Sequence, residues 1–215
     1  MTKKTILIID DHPLFRKGVQ QLLSMDEQYE VVGEAADGVT GLGMIETLAP
    51  DMVLLDLNMD VMSGLDVLEE IKKRELETEV VIMTVSNQDS DVAKAIHLGA
   101  DGYLLKDMEP EDMLVKLGQV ASGSVVVDDS ISMLLANMLK SGSHSTTLEN
   151  VRLTQRETDI MGLLVVGMNN KLMARELNIS DGTVKVHIKN ILRKTKMNSR
   201  LEAAVWAINH GFEKP

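Results

Sequence analysis

Five polar side chains follow four short apolar runs. Asp10 and Asp11 come after Thr5-Ile6-Leu7-Ile8-Ile9, Asp56 after Met52-Val53-Leu54-Leu55, Thr84 after Val80-Val81-Ile82-Met83, and Lys106 after Tyr103-Leu104-Leu105. Side by side, these residues would gather three carboxylates, a hydroxyl and an ammonium in one small space. Two or three carboxylates plus a backbone carbonyl satisfy Mg²⁺, which takes oxygen ligands and keeps several waters. An aspartate carboxylate can attack phosphorus, and a metal ion and a lysine offset charge on transferring phosphoryl oxygens. Any one of the acids alone reads as a helix cap or a loop residue. The joint placement is what points to phosphoryl chemistry.

The elements that must position these residues are legible as an alternation. Short continuous apolar runs bounded by turn residues read as buried strands of a parallel sheet, and ligands collect outside the carboxyl ends of such strands. Strand-like runs end near Asp10, Ala35, Asp56, Thr84 and Leu105, 21 to 28 residues apart. That spacing holds one strand and one crossover helix. Helical periods fall at 14–23, 38–48, 65–74, 91–98 and 110–120, with Pro13 suited to a first helical position and Gly99 to a stop. Five such units predict an α/β, doubly wound, parallel five-stranded domain of the flavodoxin-like kind over residues 1–125.

Residues 126–150 read as a linker. They hold one amphipathic segment at 128–140, with Ile131, Leu134, Leu135 and Met138 at helical spacing, and then a Ser/Gly/Thr stretch at 141–147. Residues 151–215 read as helices only: a capping box at Thr154-Gln155-Arg156-Glu157, stops at Gly167 and Asn178, a cap at Ser180, and a last helix over about 200–209 ending at Gly211.

The chain has 215 residues, 44% of them apolar, and no cysteine. Disulfides and thiolate metal sites are therefore excluded, and a reducing cytosol suits the composition. No apolar stretch approaches the ~20 residues of a membrane span, and the run after Met1 is shorter than a signal-peptide core of ~7. A soluble, cytoplasmic protein with no membrane partner is predicted. The net charge of −11 is split into about −14 over residues 1–125, −2 over 126–150 and +5 over 151–215. A basic tail on an acidic body fits a nucleic-acid-binding module joined to something else.

At about 100° per residue across 180–194, Val184, Ile188 and Ile191 share one face of a helix. Lys185, Lys189 and Arg193 fall on the other, with Val186 and Asn190. The outward face carries cations and an amide but almost no acid. Lysine can bond guanine edges or phosphates, and valine can meet a thymine methyl. Two short helices joined by a tight turn fit a helix-turn-helix whose second helix enters the groove. The five histidines (His12, His97, His144, His187 and His210) show no ligand spacing, so surface or core roles are predicted for them.

Ile9-Asp10-Asp11-His12-Pro13, Leu55-Asp56-Leu57-Asn58-Met59, Thr84-Val85-Ser86 and the run Gly99 to Lys106 resemble the signature of two-component response-regulator receiver domains, over about residues 5–122. The resemblance implies that Asp56 accepts a phosphoryl group from a sensor histidine kinase. It implies that Asp10, Asp11, Asp56 and the backbone carbonyl of Asn58 surround Mg²⁺. It also implies that Thr84 and Lys106 bind phosphoryl oxygens, and that Tyr103 is a switch aromatic coupled to Thr84. One departure is Asp60, where many receivers have proline. An aspartyl-phosphate phosphatase of the haloacid-dehalogenase type would need a second aspartate two residues after the nucleophile. Asn58 stands there and cannot serve as its general acid.

Leu153 to Glu157, Asn169-Asn170-Lys171, Ala174 to Leu177 and Ile179 to His187 resemble the LuxR/FixJ-type four-helix DNA-binding domain. By that resemblance Lys185, Val186 and Lys189 reach base edges, while Lys171, Arg193 and Lys194 are phosphate-contact candidates. Leu201, Ala204, Val205 and Ile208 would supply a dimer surface. The pairing is similar to the NarL/FixJ class of response regulators and, within it, to the nitrate/nitrite regulators. It implies a non-enzymatic transcription regulator that binds double-stranded promoter DNA as a homodimer when phosphorylated, with RNA polymerase a further partner. The alternatives are a regulator of the same class for another stimulus, and a receiver protein that acts by protein binding without DNA. The opposite charges of body and tail predict that the unphosphorylated receiver packs against the tail and masks Lys185 and Lys189.

Overall fold

The computed structural model describes residues 3–85, 89–124, 126–127 and 152–213. The helix expected at 128–140 and the linker at 141–147 lie outside the described residues. The first part alternates as β1 (Lys4–Ile9), α1 (Pro13–Ser24), β2 (Tyr29–Ala35), α2 (Gly38–Leu48), β3 (Met52–Leu55), α3 (Gly64–Lys73), β4 (Glu79–Thr84), α4 (Asp89–Leu98), β5 (Gly102–Leu105) and α5 (Pro110–Ala121). A two-residue strand, β6 (Val126–Val127), follows. The sheet is parallel, in the order β2-β1-β3-β4-β5-β6. The five expected strands are present, and β6 adds a short sixth at the edge, inside what the sequence reads as linker.

The apolar runs are continuous because both faces of the sheet are covered. Leu7, Ile9, Val53, Leu55, Val80, Ile82 and Tyr103 pack under α2, α3 and α4, and Ile6, Ile8, Met52, Leu54, Val81 and Met83 under α1 and α5. Strand order reverses around β1 and β3, the place where an open α/β sheet forms its ligand crevice.

Two local features set the loop after β3. A Cβ at Gly64 would lie 2.0 Å from the Asp56 carbonyl oxygen, so only glycine lets α3 start this close to the strand. Val61 sits at φ 70°, a left-handed conformation that costs a β-branched residue energy.

The tail forms α6 (Gln155–Val165), α7 (Asn170–Glu176), α8 (Asp181–Thr195) and α9 (Arg200–Asn209). Thr154 and Glu157 make the expected capping box, Ser180 accepts from the Thr183 amide, and Gly167 and Gly211 adopt positive φ after their helices. Asn178, at φ 53°, makes the turn between α7 and α8. These helices enclose their own core around Ile160, Leu164, Met173, Val184, Ile191 and Trp206.

Candidate functional site

The carboxyl edge of the sheet gathers the sequence-predicted residues. Asp10 follows β1 and Asp56 follows β3, and both side chains are almost completely buried (2% and 1% exposed), which is rare for unpaired carboxylates. Lys106 Nζ reaches across from the end of β5 to within 2.7 Å of Asp10 Oδ2 and 2.8 Å of Asp56 Oδ2. Thr84, ending β4, is buried, and the Asn58 side-chain amide donates to its hydroxyl at 3.4 Å. The Asn58 backbone N–H donates to Asp56 Oδ1 at 3.3 Å. Tyr103 lies wholly inside, and burial with nearby Asp91 and Asp56 pushes its hydroxyl pKa well above the usual phenol range.

Burial is also the largest influence on Asp56. It raises the carboxyl pKa, Lys106 pulls it back, and Asp10 adds a further upward push. Three carboxylates facing one ammonium leave the pocket rich in negative charge. That donor set fits Mg²⁺, a hard cation served by oxygen.

The second constellation lies on α8. Val184, Ile188 and Ile191 are buried, while Lys185, Val186 and Lys189 are exposed, as the helical projection requires. Val186 is 59% exposed, a conspicuous apolar side chain among cations. Lys171 is exposed on α7, and Arg193 is exposed with one guanidinium nitrogen 3.4 Å from Asn190 Oδ1. Lys194 is committed elsewhere: its Nζ is 2.7 Å from Glu157 Oε2. Burial raises the Glu157 carboxyl pKa, but hydrogen bonds from Lys194 and Thr154 outweigh it and hold the group below its ordinary range.

Residues 6–118 match the response regulator receiver domain, and residues 151–207 match the bacterial regulatory proteins of the luxR family. The chain belongs to the LuxR-type response regulators. It is 48% identical over 202 residues to the nitrate/nitrite response regulator protein NarL of Escherichia coli K12, with 94% of each chain covered. It is 44% identical over 200 residues to NarP of the same organism, covering 93% of this chain and 92% of that one. Among solved structures it is similar to the receiver domain of the putative response regulator NarL from Mycobacterium tuberculosis. That match has 36% identity and a TM-score of 0.55, and covers 57% of this chain and 99% of the other. The family is one of DNA-binding transcription regulators, not enzymes, and no helix among the described residues is long and apolar enough to cross a membrane.

In this response regulator the DNA-binding domain docks on the receiver at the sheet's amino edge, opposite the acidic pocket. Asn198 Nδ2 donates to the His97 carbonyl at 2.8 Å, and His97 Nδ1 lies 3.2 Å from Glu202 Oε1. Leu201 and Val205 of α9 join the receiver's apolar cluster at α4. Of the four residues expected to form a dimer surface, Leu201 and Ala204 are buried, Val205 is half-buried, and Ile208 is 47% exposed.

A cleft of about 460 Å³ separates Lys72, Glu79 and Asp101 of the receiver from Lys185, Lys189 and Arg200 of the tail. Arg200 donates to Asn170 Oδ1 at 2.6 Å and to the Met168 carbonyl, and burial lowers its pKa to about 10. Helix α8 of this response regulator therefore borders a space of limited volume shared with the receiver.

Sequence reasoning missed several residues of the pocket. Phe15 lies under Lys106, with Nζ 4.8 Å from the ring centroid, and Arg16 donates to the Asp10 carbonyl. His12 Nδ1 stands 2.6 Å from Asp11 Oδ1, 3.2 Å from Asp10 Oδ1 and 3.8 Å from Asp56 Oδ2. The ring is 64% exposed, the surface position read from histidine spacing, but it stands among carboxylates that the spacing did not indicate. The available signal was adjacency to Asp10 and Asp11 where β1 turns into α1.

Proposed function

We propose that Asp56 accepts a phosphoryl group from the phosphohistidine of a sensor histidine kinase, and that the modified chain binds promoter DNA as a homodimer to activate or repress transcription. The observation that carries this is the convergence of Asp10, Asp56, Thr84 and Lys106 at one edge of the sheet, in a chain that also bears a LuxR-type domain. In the transfer, an Asp56 oxygen forms the new P–O bond as the N–P bond breaks, and the imidazole departs. Lys106 balances charge on the phosphoryl oxygens, Thr84 donates its hydroxyl to one of them, and the buried walls exclude water. Mg²⁺, held by Asp10, Asp11, Asp56 and the Asn58 carbonyl, supplies charge neutralisation when bound.

The DNA contacts proposed are Lys185, Val186 and Lys189 at base edges, with Lys171 and Arg193 at phosphates. Lys194 would first have to leave Glu157. The segments 1–125, 126–150 and 151–215 serve as receiver, linker and DNA-binding unit. The docked tail supports a partial masking role for the unphosphorylated receiver: it faces Lys185 and Lys189, which stay exposed, across a cleft, and it covers the Leu201–Val205 face of α9. Phosphorylation, relayed through Thr84 and Tyr103, shifts the population to an open form that pairs through Leu201, Ala204, Val205 and Ile208. Similarity to NarL and NarP makes nitrate/nitrite-responsive genes of anaerobic respiration the proposed targets, with a cytoplasmic location and RNA polymerase as a partner.

The test is protection mapping of such promoters with and without acetyl phosphate and Mg²⁺. Protection that needs the phosphodonor is the expected result. Protection indifferent to it, in protein shown to carry the label, overturns the reading.

A further inference from the structure

Asp10, Asp11, His12 and Asp56 each offer one ligand atom, and these four atoms all lie within 4.8 Å of one another. A six-coordinate cation with donors at about 2.1 Å sets neighbouring donors about 3.0 Å apart and opposite donors about 4.2 Å apart. The distances from His12 Nδ1 to the three carboxylates, 2.6, 3.2 and 3.8 Å, lie around the spacing of neighbouring donors and short of that of opposite ones, so the ring sits beside the carboxylates on one side of such a cation. Backbone geometry holds the ring at the pocket mouth. The His12 N–H donates to Asp10 Oδ1 at 2.8 Å, and Pro13 then fixes the first turn of α1. The imidazole is 64% exposed, so it can turn onto a cation without disturbing the buried carboxylates behind it.

We propose that His12 Nδ1 is a protein donor to the cation of this pocket, making it a mixed oxygen–nitrogen site that favours borderline divalent ions such as Fe²⁺, Co²⁺, Ni²⁺ or Zn²⁺ over Mg²⁺. Imidazole suits those ions, whereas Mg²⁺ is served by carboxylate, carbonyl and water oxygens. Asp10, Asp11 and Asp56 hold either kind of cation, and His12 adds affinity only for the second kind. Which cation occupies the receiver then depends on which ions the cell makes available. The inference rests on the reading of the acidic pocket as a cation site, and it assigns that site a stronger preference for borderline ions than three carboxylates alone would give.

The test uses the full chain and its His12→Phe variant, with Co²⁺ and Mg²⁺ each titrated calorimetrically at about pH 7.5, above the ordinary imidazole range. Substituting the donor should lower the Co²⁺-to-Mg²⁺ affinity ratio at least about tenfold, while the Mg²⁺ affinity barely moves. The Co²⁺-loaded wild-type protein should also show a strongly shifted imidazole N–H proton resonance that excess Mg²⁺ removes and the variant lacks. If His12→Phe fails to fold, His12→Gln takes its place.

An unchanged ratio, or a shifted resonance that persists in the variant or resists Mg²⁺, overturns the proposal. Failure of wild-type protein to bind either cation overturns the cation-site reading along with it. Binding of both with an unchanged ratio overturns the role of His12 alone.

Discussion

Strand β4 begins at Glu79 and ends at Thr84, and its two ends face different neighbours. Thr84 closes the acidic pocket, whereas Glu79 borders the cleft across which Lys185 of α8 lies. Strand β5 repeats the pattern, with Asp101 just before it at the cleft and Lys106 just after it in the pocket. Helix α4 brings His97 to Glu202 and Asn198 of the tail. Six residues of strand span about 20 Å. The same two strands therefore touch both sites, and rigid strands can carry a change at one end to the other.

The two ends also differ in how they treat charge. The pocket concentrates acids behind buried walls and needs a cation. The cleft mixes Lys72, Lys185, Lys189 and Arg200 with Glu79 and Asp101, and burial pushes the Glu79 carboxyl pKa up although Lys4 partly offsets it. A charge-rich, imperfectly neutralised interface is one that a modest signal can open.

The largest expected effect lies at the pocket. A small phosphodonor with Mg²⁺ should label the chain at Asp56, and Asp56→Asn should abolish that label. Asp11→Ala should reduce it by weakening the cation site. Persistent acid-stable label in Asp56→Asn would break the distinction between the two ends.

On the reading helix, replacing Lys185 or Lys189 by Ala should cost ~1–3 kcal/mol in promoter affinity where it reads a base, or lower the salt slope where it meets a phosphate. Affinity and slope both unchanged in the double variant would remove α8 from the DNA interface. The isolated fragment 150–215, which carries its own apolar core, should bind promoter DNA about tenfold or more tighter than the unphosphorylated full chain, a gain of at least ~1.4 kcal/mol. Equal affinity at matched salt would mean that docking hides nothing.

The smallest effect is on stability. Because burial raises the Asp56 carboxyl pKa in the fold, its ionised form is disfavoured there at neutral pH, and its protonated form is not penalised at low pH. Asp56→Asn should therefore raise the Tm of the metal-free chain at pH 7, by a small amount because Lys106 partly offsets the cost of burial. That gain should shrink as pH falls through the raised carboxyl range. A lower Tm at pH 7 would show that the Lys106 pairing outweighs desolvation.

Most of the receiver was legible because a parallel sheet leaves a strong trace: unbroken apolar runs, a fixed spacing, and polar residues where each run stops. The capping box at Thr154, Gly99, Gly167, Gly211 and the two faces of α8 were legible for the same reason, since each is a local rule. Strand β6 was not, because two residues carry no periodicity. His12 was missed because its place among the carboxylates comes from the turn between β1 and α1, which no histidine spacing encodes. The pairing of Lys194 with Glu157, and the partial cover of Leu201 and Val205 by α4, come from tertiary packing between segments distant in sequence. Helical projection shows which face is apolar, but not what covers it.

The most direct test of the link between the two ends is the promoter affinity of the full chain at one salt concentration, with and without acetyl phosphate and Mg²⁺, alongside Asp56→Asn. Tighter binding with phosphodonor in the wild-type chain only, approaching that of fragment 150–215, is the predicted result. An affinity that stays the same while Asp56 is demonstrably labelled would contradict it.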